Sequence, residues 1–122
     1  MDLNYLRKLL NVSWSKDTCY PKCREEYSLT NKSLGQCAIT CLIVNDYFCY
    51  DIYKCKVNGI SHYFNMNSDE IIDLTKKQFG DVIVEYREIE KVSREDILVN
   101  ENTRYRYLLL KSRILSKIDN NL

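Results

Sequence analysis

Three residues of this chain have the side-chain types that thiol chemistry requires: Cys37 in "SLGQCAITCLIVNDY", His62 in "GISHYFN" and Asp73 in "EIIDLT". A thiol attacks as its thiolate, so it needs surroundings that favour the anion, an imidazole partner, and a third group to orient that imidazole. Cys37 follows Gly35-Gln36 directly at the predicted start of a helix, where free N–H groups and the macrodipole favour negative charge. His62 is the sole histidine and sits within a strand-like run. Asp73 lies between Ile71, Ile72 and Leu74, where an unpaired carboxylate would be costly to bury. Taken singly, Cys37 reads as core packing and His62 as a structural histidine. Their order around one hairpin is what points to a Cys37–His62–Asp73 triad. Gln36 is a candidate donor to an oxyanion beside the Cys37 N–H, or else a helix cap or a tether for the preceding loop. Asn65 lies three residues from His62 and so faces the other side of an ideal strand. Asp73 is therefore the better orienter. Trp14, Tyr63 and Asn65 are candidate substrate-binding residues.

The elements that must position these groups follow from periodicity. Leu3, Leu6, Leu9, Leu10 and Trp14 fall near helical spacing and predict an amphipathic helix over residues 2–14. Residues 15–35 show no period, so a long loop is expected, and loops of this length in compact domains are usually functional. The segment from Cys37 to Phe48 is apolar on nearly every side, which predicts a buried central helix. Runs over Tyr50–Val57 and Ile60–Met66, joined by Asn58-Gly59, predict a β-hairpin. Glu70–Leu74 and Val82–Tyr86 are expected as third and fourth strands, with a helical turn capped by Thr75 between them. Ser93 is a candidate cap for a short helix, with Asp96 at its third position. Tyr107, Leu110, Ile114 and Ile118 share one face of a last helix over Thr103–Ile118, and Arg104, Arg106, Lys111, Arg113 and Lys117 are read as its solvated face. The fold expected is α+β over residues 1–122 as one domain. A central buried helix carries the cysteine at its N-terminus and packs on a small antiparallel sheet, with N- and C-terminal helices flanking it.

Packing a helix-borne cysteine against a strand-borne histidine, with the aspartate on the next strand, is the minimal arrangement of papain-like and transglutaminase-like folds. The motifs "SW" at 13–14, "GQCAIT" at 35–40, "SHYFN" at 61–65, "DLTKKQF" at 73–79 and "RYRYLLLKSRI" at 104–114 together resemble the small bacterial YunG-like family, from about residue 5 to 116. The resemblance implies this fold and the unit Gln36, Cys37, His62 and Asp73, but it implies no particular reaction. Related sequences often carry a glycine pair after the central helix, where this chain has "YFCYDIY". A different turn is expected there.

Composition narrows the function classes. With 18 basic and 17 acidic side chains and a net charge of +1, the chain has no general affinity for nucleic acid or anionic membrane. No apolar run approaches the roughly 18 residues of a membrane span. The opening Met-Asp-Leu-Asn-Tyr-Leu-Arg-Lys lacks a secretory apolar core, which predicts a cytoplasmic address and six reduced cysteines. Cys19-x3-Cys23 and Cys37-x3-Cys41 have ligand-like spacing for zinc, but neither is a C-x2-C pair and Cys41 lies inside an apolar helix. No metal and no cofactor is expected. The expected function is a cysteine hydrolase or acyltransferase acting on a peptide, isopeptide or amide through a thioester, with a protein or peptide as substrate or partner. The alternative is a non-catalytic interaction module, an inhibitor or adaptor, that keeps the same fold.

Overall fold

The computed structural model describes residues 1–120. Helix α1 (Leu3–Ser13) begins where the Asp2 carboxylate accepts the Tyr5 N–H at 2.8 Å, and it buries Leu6, Leu9 and Leu10. That is the apolar stripe its sequence predicts. The segment 15–36 is mostly turns, with one 3₁₀ stretch at Pro21–Cys23. Helix α2 (Cys37–Phe48) then runs through the centre of the molecule with Ile39, Thr40, Cys41, Leu42, Ile43 and Val44 all buried. A helix apolar all round must be covered on all sides. Here Leu6 and Leu10 of α1, Ile52 and Ile72 of the sheet, and Leu110 and Ile114 near the C-terminus supply the cover.

The sheet has four antiparallel strands: β1 (Asp51–Val57), β2 (Ile60–Asn67), β3 (Glu70–Ile72) and β4 (Glu90–Val92), in the order β3-β2-β1-β4. Asn58 and Gly59 both adopt positive φ (52° and 79°), the geometry that a two-residue hairpin demands and that Asn-Gly supplies. The register sets His62 opposite Cys55 and Asn65 opposite Ile52. One face of the sheet, with Ile52 and Tyr63, packs on α2. The other carries Cys55, Val57 and Phe64 and is closed by Val84, with Phe79 and Tyr86 packed alongside.

Two strand expectations need correction. Val82–Tyr86 is not a strand; the fourth strand is Glu90–Val92, paired with β1. The alternation of 82–86 is real, since Val84 and Tyr86 turn inward, but they pack on the sheet's face instead of pairing with an edge. The third strand stops at Ile72 and does not reach Leu74, because Asp73 Oδ1 accepts the Thr75 N–H (3.2 Å) and turns the chain away. The 3₁₀ turn Lys76–Phe79 follows with Thr75 at its N-cap position, but the Thr75 side chain makes no capping bond to the backbone; its hydroxyl accepts from Gln78 Nε2 (3.0 Å) instead.

The capping of α3 (Arg94–Leu98) is as expected, with Ser93 Oγ accepting the Asp96 N–H at 3.1 Å. Helix α4 (Glu101–Asn120) starts earlier than its apolar face suggested, because Asn100 Oδ1 accepts the Thr103 N–H. Its basic residues are not simply a solvated face. Arg106 is buried, Lys111 pairs with Asp46 (3.0 Å), and Arg113 pairs with Asp17 (2.9 Å). No helix among the described residues is long and apolar enough to cross a membrane.

Helix α2 ends on Cys49, which takes the left-handed conformation (φ 59°, ψ 20°) while its N–H bonds Asn45 O. This is the position where helices favour glycine, and an L side chain there costs about 1–2 kcal/mol. Cys49 is exposed and belongs to neither core cluster, so core burial does not offset the cost. Cys49→Gly is therefore expected to stabilise the fold by about 0.5–1 kcal/mol after glycine's entropy is counted, raising the melting temperature by about 2–5 °C in calorimetry.

Candidate functional site

The turn before α2 is built around Gly35 (φ +70°). A Cβ there would lie 2.9 Å from Tyr20 N and 3.0 Å from Cys19 Sγ, so the 15–36 segment can close on the start of α2 only because residue 35 has no side chain. Gln36 is fully buried, and its Nε2 donates to Ser15 O at 3.0 Å. One of its two amide hydrogens is thus committed to tethering the loop after α1. Cys37 opens α2 as a free, half-buried thiol.

His62 stands on β2 with 1% exposure. Its Nε2 and Asp73 Oδ2 are 2.6 Å apart, a charge-assisted contact between two buried side chains. Phe79 meets the ring edge-on (4.9 Å between centroids), and Phe64 stacks at 6.2 Å. Burial alone would push the imidazole pKa down, but the bond to Asp73 and the influence of Cys37 outweigh it and lift the value to about 9. His62 is therefore an imidazolium at neutral pH, ion-paired with Asp73. Its Nδ1 is buried and has no hydrogen-bond partner.

Asp73 is held from several sides. Besides His62 it accepts the Tyr86 hydroxyl at Oδ2 (2.8 Å) and the Thr75 N–H at Oδ1. Burial and the bond to this carboxylate both raise the Tyr86 hydroxyl pKa. Tyr86 and Phe79 were not foreseen, since nothing local in the sequence marks a residue that reaches the far side of a sheet from an irregular segment.

The candidate substrate-binding residues divide. Tyr63 is half-buried and lines a crevice with Cys37, Thr40, Asp73 and Thr75 that is too narrow to hold a water molecule. Asn65 also borders it, but both hydrogens of its Nδ2 are used internally, on Cys41 O (3.0 Å) and Tyr50 O (3.2 Å). It fastens α2 to β2. Trp14 does not line the crevice; its Nε1 donates to Thr40 Oγ1 at 3.0 Å and its ring packs on the main core. A roomier groove of about 410 Å³ runs between α1 and α4, past Leu9, Val12 and Lys117, and none of the site residues borders it.

All six cysteines are free thiols. Burial pushes the Cys19 thiol up to about 11 and raises Cys41 and Cys55 as well. Among the described residues no cluster of three or more His, Cys, Asp or Glu side chains has the geometry to hold a metal ion. Cys19, Cys23, Cys37 and Cys41 thus do not converge as a zinc site, whatever their spacing.

Comparison with known proteins places the chain. A family model described as "YunG protein" matches residues 2–119. A Bacillus subtilis (strain 168) protein described as "Uncharacterized protein YunG" is 29% identical over 106 residues, covering 87% of each chain. No solved structure matches. With the match spanning nearly every described element, from α1 through α4, the chain belongs to the YunG protein family.

Proposed function

We propose that this protein is a cysteine hydrolase or acyltransferase acting on a peptide, isopeptide or amide carbonyl through a thioester on Cys37. The observation that carries this reading is the His62–Asp73 contact of 2.6 Å, which fixes one ring nitrogen and leaves the buried Nδ1 available to Cys37. A core histidine that served only packing would not leave a buried donor unpaired.

In this reading the Cys37 thiolate attacks the carbonyl carbon and the electron pair moves to oxygen, where the Cys37 backbone N–H meets it, with the second Gln36 amide hydrogen as a further donor. Collapse of the adduct breaks the C–N bond, and His62 Nδ1–H gives its proton to the departing amine. Water or an amine acceptor then attacks the thioester, losing its proton to the neutral imidazole, and Cys37 leaves as thiolate. Asp73 keeps Nε2 protonated and the ring oriented throughout. The partner is a protein or peptide. The narrow crevice favours one alternative, an interaction module in which the same polar group only braces the fold.

Iodoacetamide labelling near pH 6.5 decides between them. An ordinary thiol, with pKa near 8.5, is only about 1% ionised there. Cys37 paired with the imidazolium is expected to react at least about tenfold faster than the exposed Cys49, which serves as the internal reference. His62→Ala should abolish the difference. Equal labelling of Cys37 and Cys49 in the folded wild-type protein, read by mass spectrometry, would overturn the enzymatic reading.

A further inference from the structure

Arg106 is 3% exposed, and His62 is the only other basic residue among those described that is buried. Its side-chain partners are all neutral. Nε donates to Asn102 Oδ1 (2.7 Å), Nη1 to Thr18 O (3.1 Å) and Nη2 to Thr103 Oγ1 (3.3 Å), and the guanidinium lies 5.9 Å from the centre of the Tyr20 ring. Arg94, Lys111 and Arg113, elsewhere on α3 and α4, each reach a carboxylate. A buried cation normally does too, because leaving it uncompensated costs several kcal/mol.

The contacts of Arg106 locate its charge. It holds Thr18 O and stacks on Tyr20, and the Tyr20 N–H bonds Gly35 O at 2.9 Å, while Cys19 Sγ lies against Gly35. The guanidinium therefore sits behind the turn that delivers Gln36 and Cys37. Burial pulls the Arg106 pKa down, and the neighbouring thiols of Cys37 and Cys19 oppose that shift while Arg24 adds to it.

We propose that Arg106 is a positioning residue for the Cys37 chemistry: its uncompensated charge, held behind the 35–37 turn, favours the thiolate of Cys37 while its fork fixes the loop that carries it. This rests on reading Cys37 as the nucleophile. The other ionisable groups around Cys37 are His62 and Tyr63 from β2, Asp73 after β3, Cys41 on α2, Cys55 on β1, and Cys23 from the 15–36 segment. His62 is the cation of this set, and Arg106 adds to it from α4.

The test supplies the counter-ion that nature left out. Asn102 is exposed in the first turn of α4, where an aspartate suits the helix dipole, and its Oδ1 already touches Arg106 Nε. Asn102→Asp should neutralise the guanidinium without removing it. The expected result is iodoacetamide labelling of Cys37 at pH 6.5 that is about three- to tenfold slower, with the midpoint of its pH profile raised by about 0.5–1 unit and an unchanged or higher melting temperature. Arg106→Gln should slow labelling by at least as much, and Arg106→Lys, which keeps the charge but not the fork, should label at a rate between those of Arg106→Gln and the wild type. A folded Asn102→Asp protein that labels at the wild-type rate would overturn the proposal. A wild-type protein without selective labelling at Cys37 would instead overturn the underlying assignment of the nucleophile, so the two failures are told apart.

Discussion

Asp73→Asn is expected to slow Cys37 alkylation at pH 6.5 at least about tenfold and to cost about 2–4 kcal/mol of stability. The carboxylate it removes is 97% covered in the sense that only 3% of the side chain is exposed, and it faces donors alone: His62 Nε2, the Tyr86 hydroxyl and the Thr75 N–H. An asparagine keeps the shape but offers one acceptor oxygen in place of two and no negative charge, so the donors lose an acceptor and the imidazolium loses its counter-ion. The larger effect is on His62. Without the carboxylate, burial dominates and drives the imidazole neutral, and a neutral ring cannot hold a thiolate beside it. Tyr86→Phe is the control, because it removes one neutral donor and leaves the ion pair intact. It should cost about 1 kcal/mol and change the alkylation rate less than about threefold. A large fall in melting temperature for Asp73→Asn with an unchanged alkylation rate would mean that the buried pair braces the fold and performs no chemistry.

The contrast between Asp73 and Tyr86 shows which parts of this site a sequence can reveal. Asp73 stands out because a carboxylate among Ile71, Ile72 and Leu74 contradicts its local pattern, and such contradictions are resolved by a partner. Cys37 stands out because Gly35 and Gln36 break the pattern just before an apolar helix. The hairpin register that brings His62 to its place follows from Asn58-Gly59, whose two positive φ values leave one way to pair β1 with β2. Tyr86 carries no such mark. Its segment alternates as a strand does, and only the three-dimensional course of 79–86 decides that alternation serves a sheet's face and not its edge. Arg106 was misread for a related reason. On α4 it adjoins Tyr107, and an arginine beside an apolar stripe ordinarily extends to water. That it turns inward is set by Thr18 O and Tyr20, residues of a segment with no period to fix its position in advance.

The protonation state of His62 predicts how stability depends on pH. The folded imidazole has a pKa of about 9 against about 6.5 in the unfolded chain, so between these values the folded state holds the proton that the unfolded state has lost. Stability contributed by the ion pair is therefore complete below about pH 6.5 and falls as pH rises toward 9. The slope approaches about 1.4 kcal/mol per pH unit, which amounts to roughly 2–3 kcal/mol between pH 6.5 and 8.5. The buried thiols act in the same direction but later. Their folded pKa values are raised, so they withdraw stability only once the unfolded thiols ionise, above about pH 8.5. A Cys37 thiolate takes up a proton on unfolding in this same window and offsets the slope, so the window from 6.5 to 8.5 isolates His62, the chain's one histidine, in a Cys37→Ala protein. Urea unfolding of Cys37→Ala under reducing conditions at pH 6, 7 and 8 measures it directly, and the expected decline should flatten when Asp73→Asn is added, where the ring no longer has a carboxylate to keep its proton. Stability of Cys37→Ala that rises from pH 6 to 8 would mean that His62 is buried neutral, and with it the imidazolium that holds the Cys37 thiolate would be lost from the mechanism.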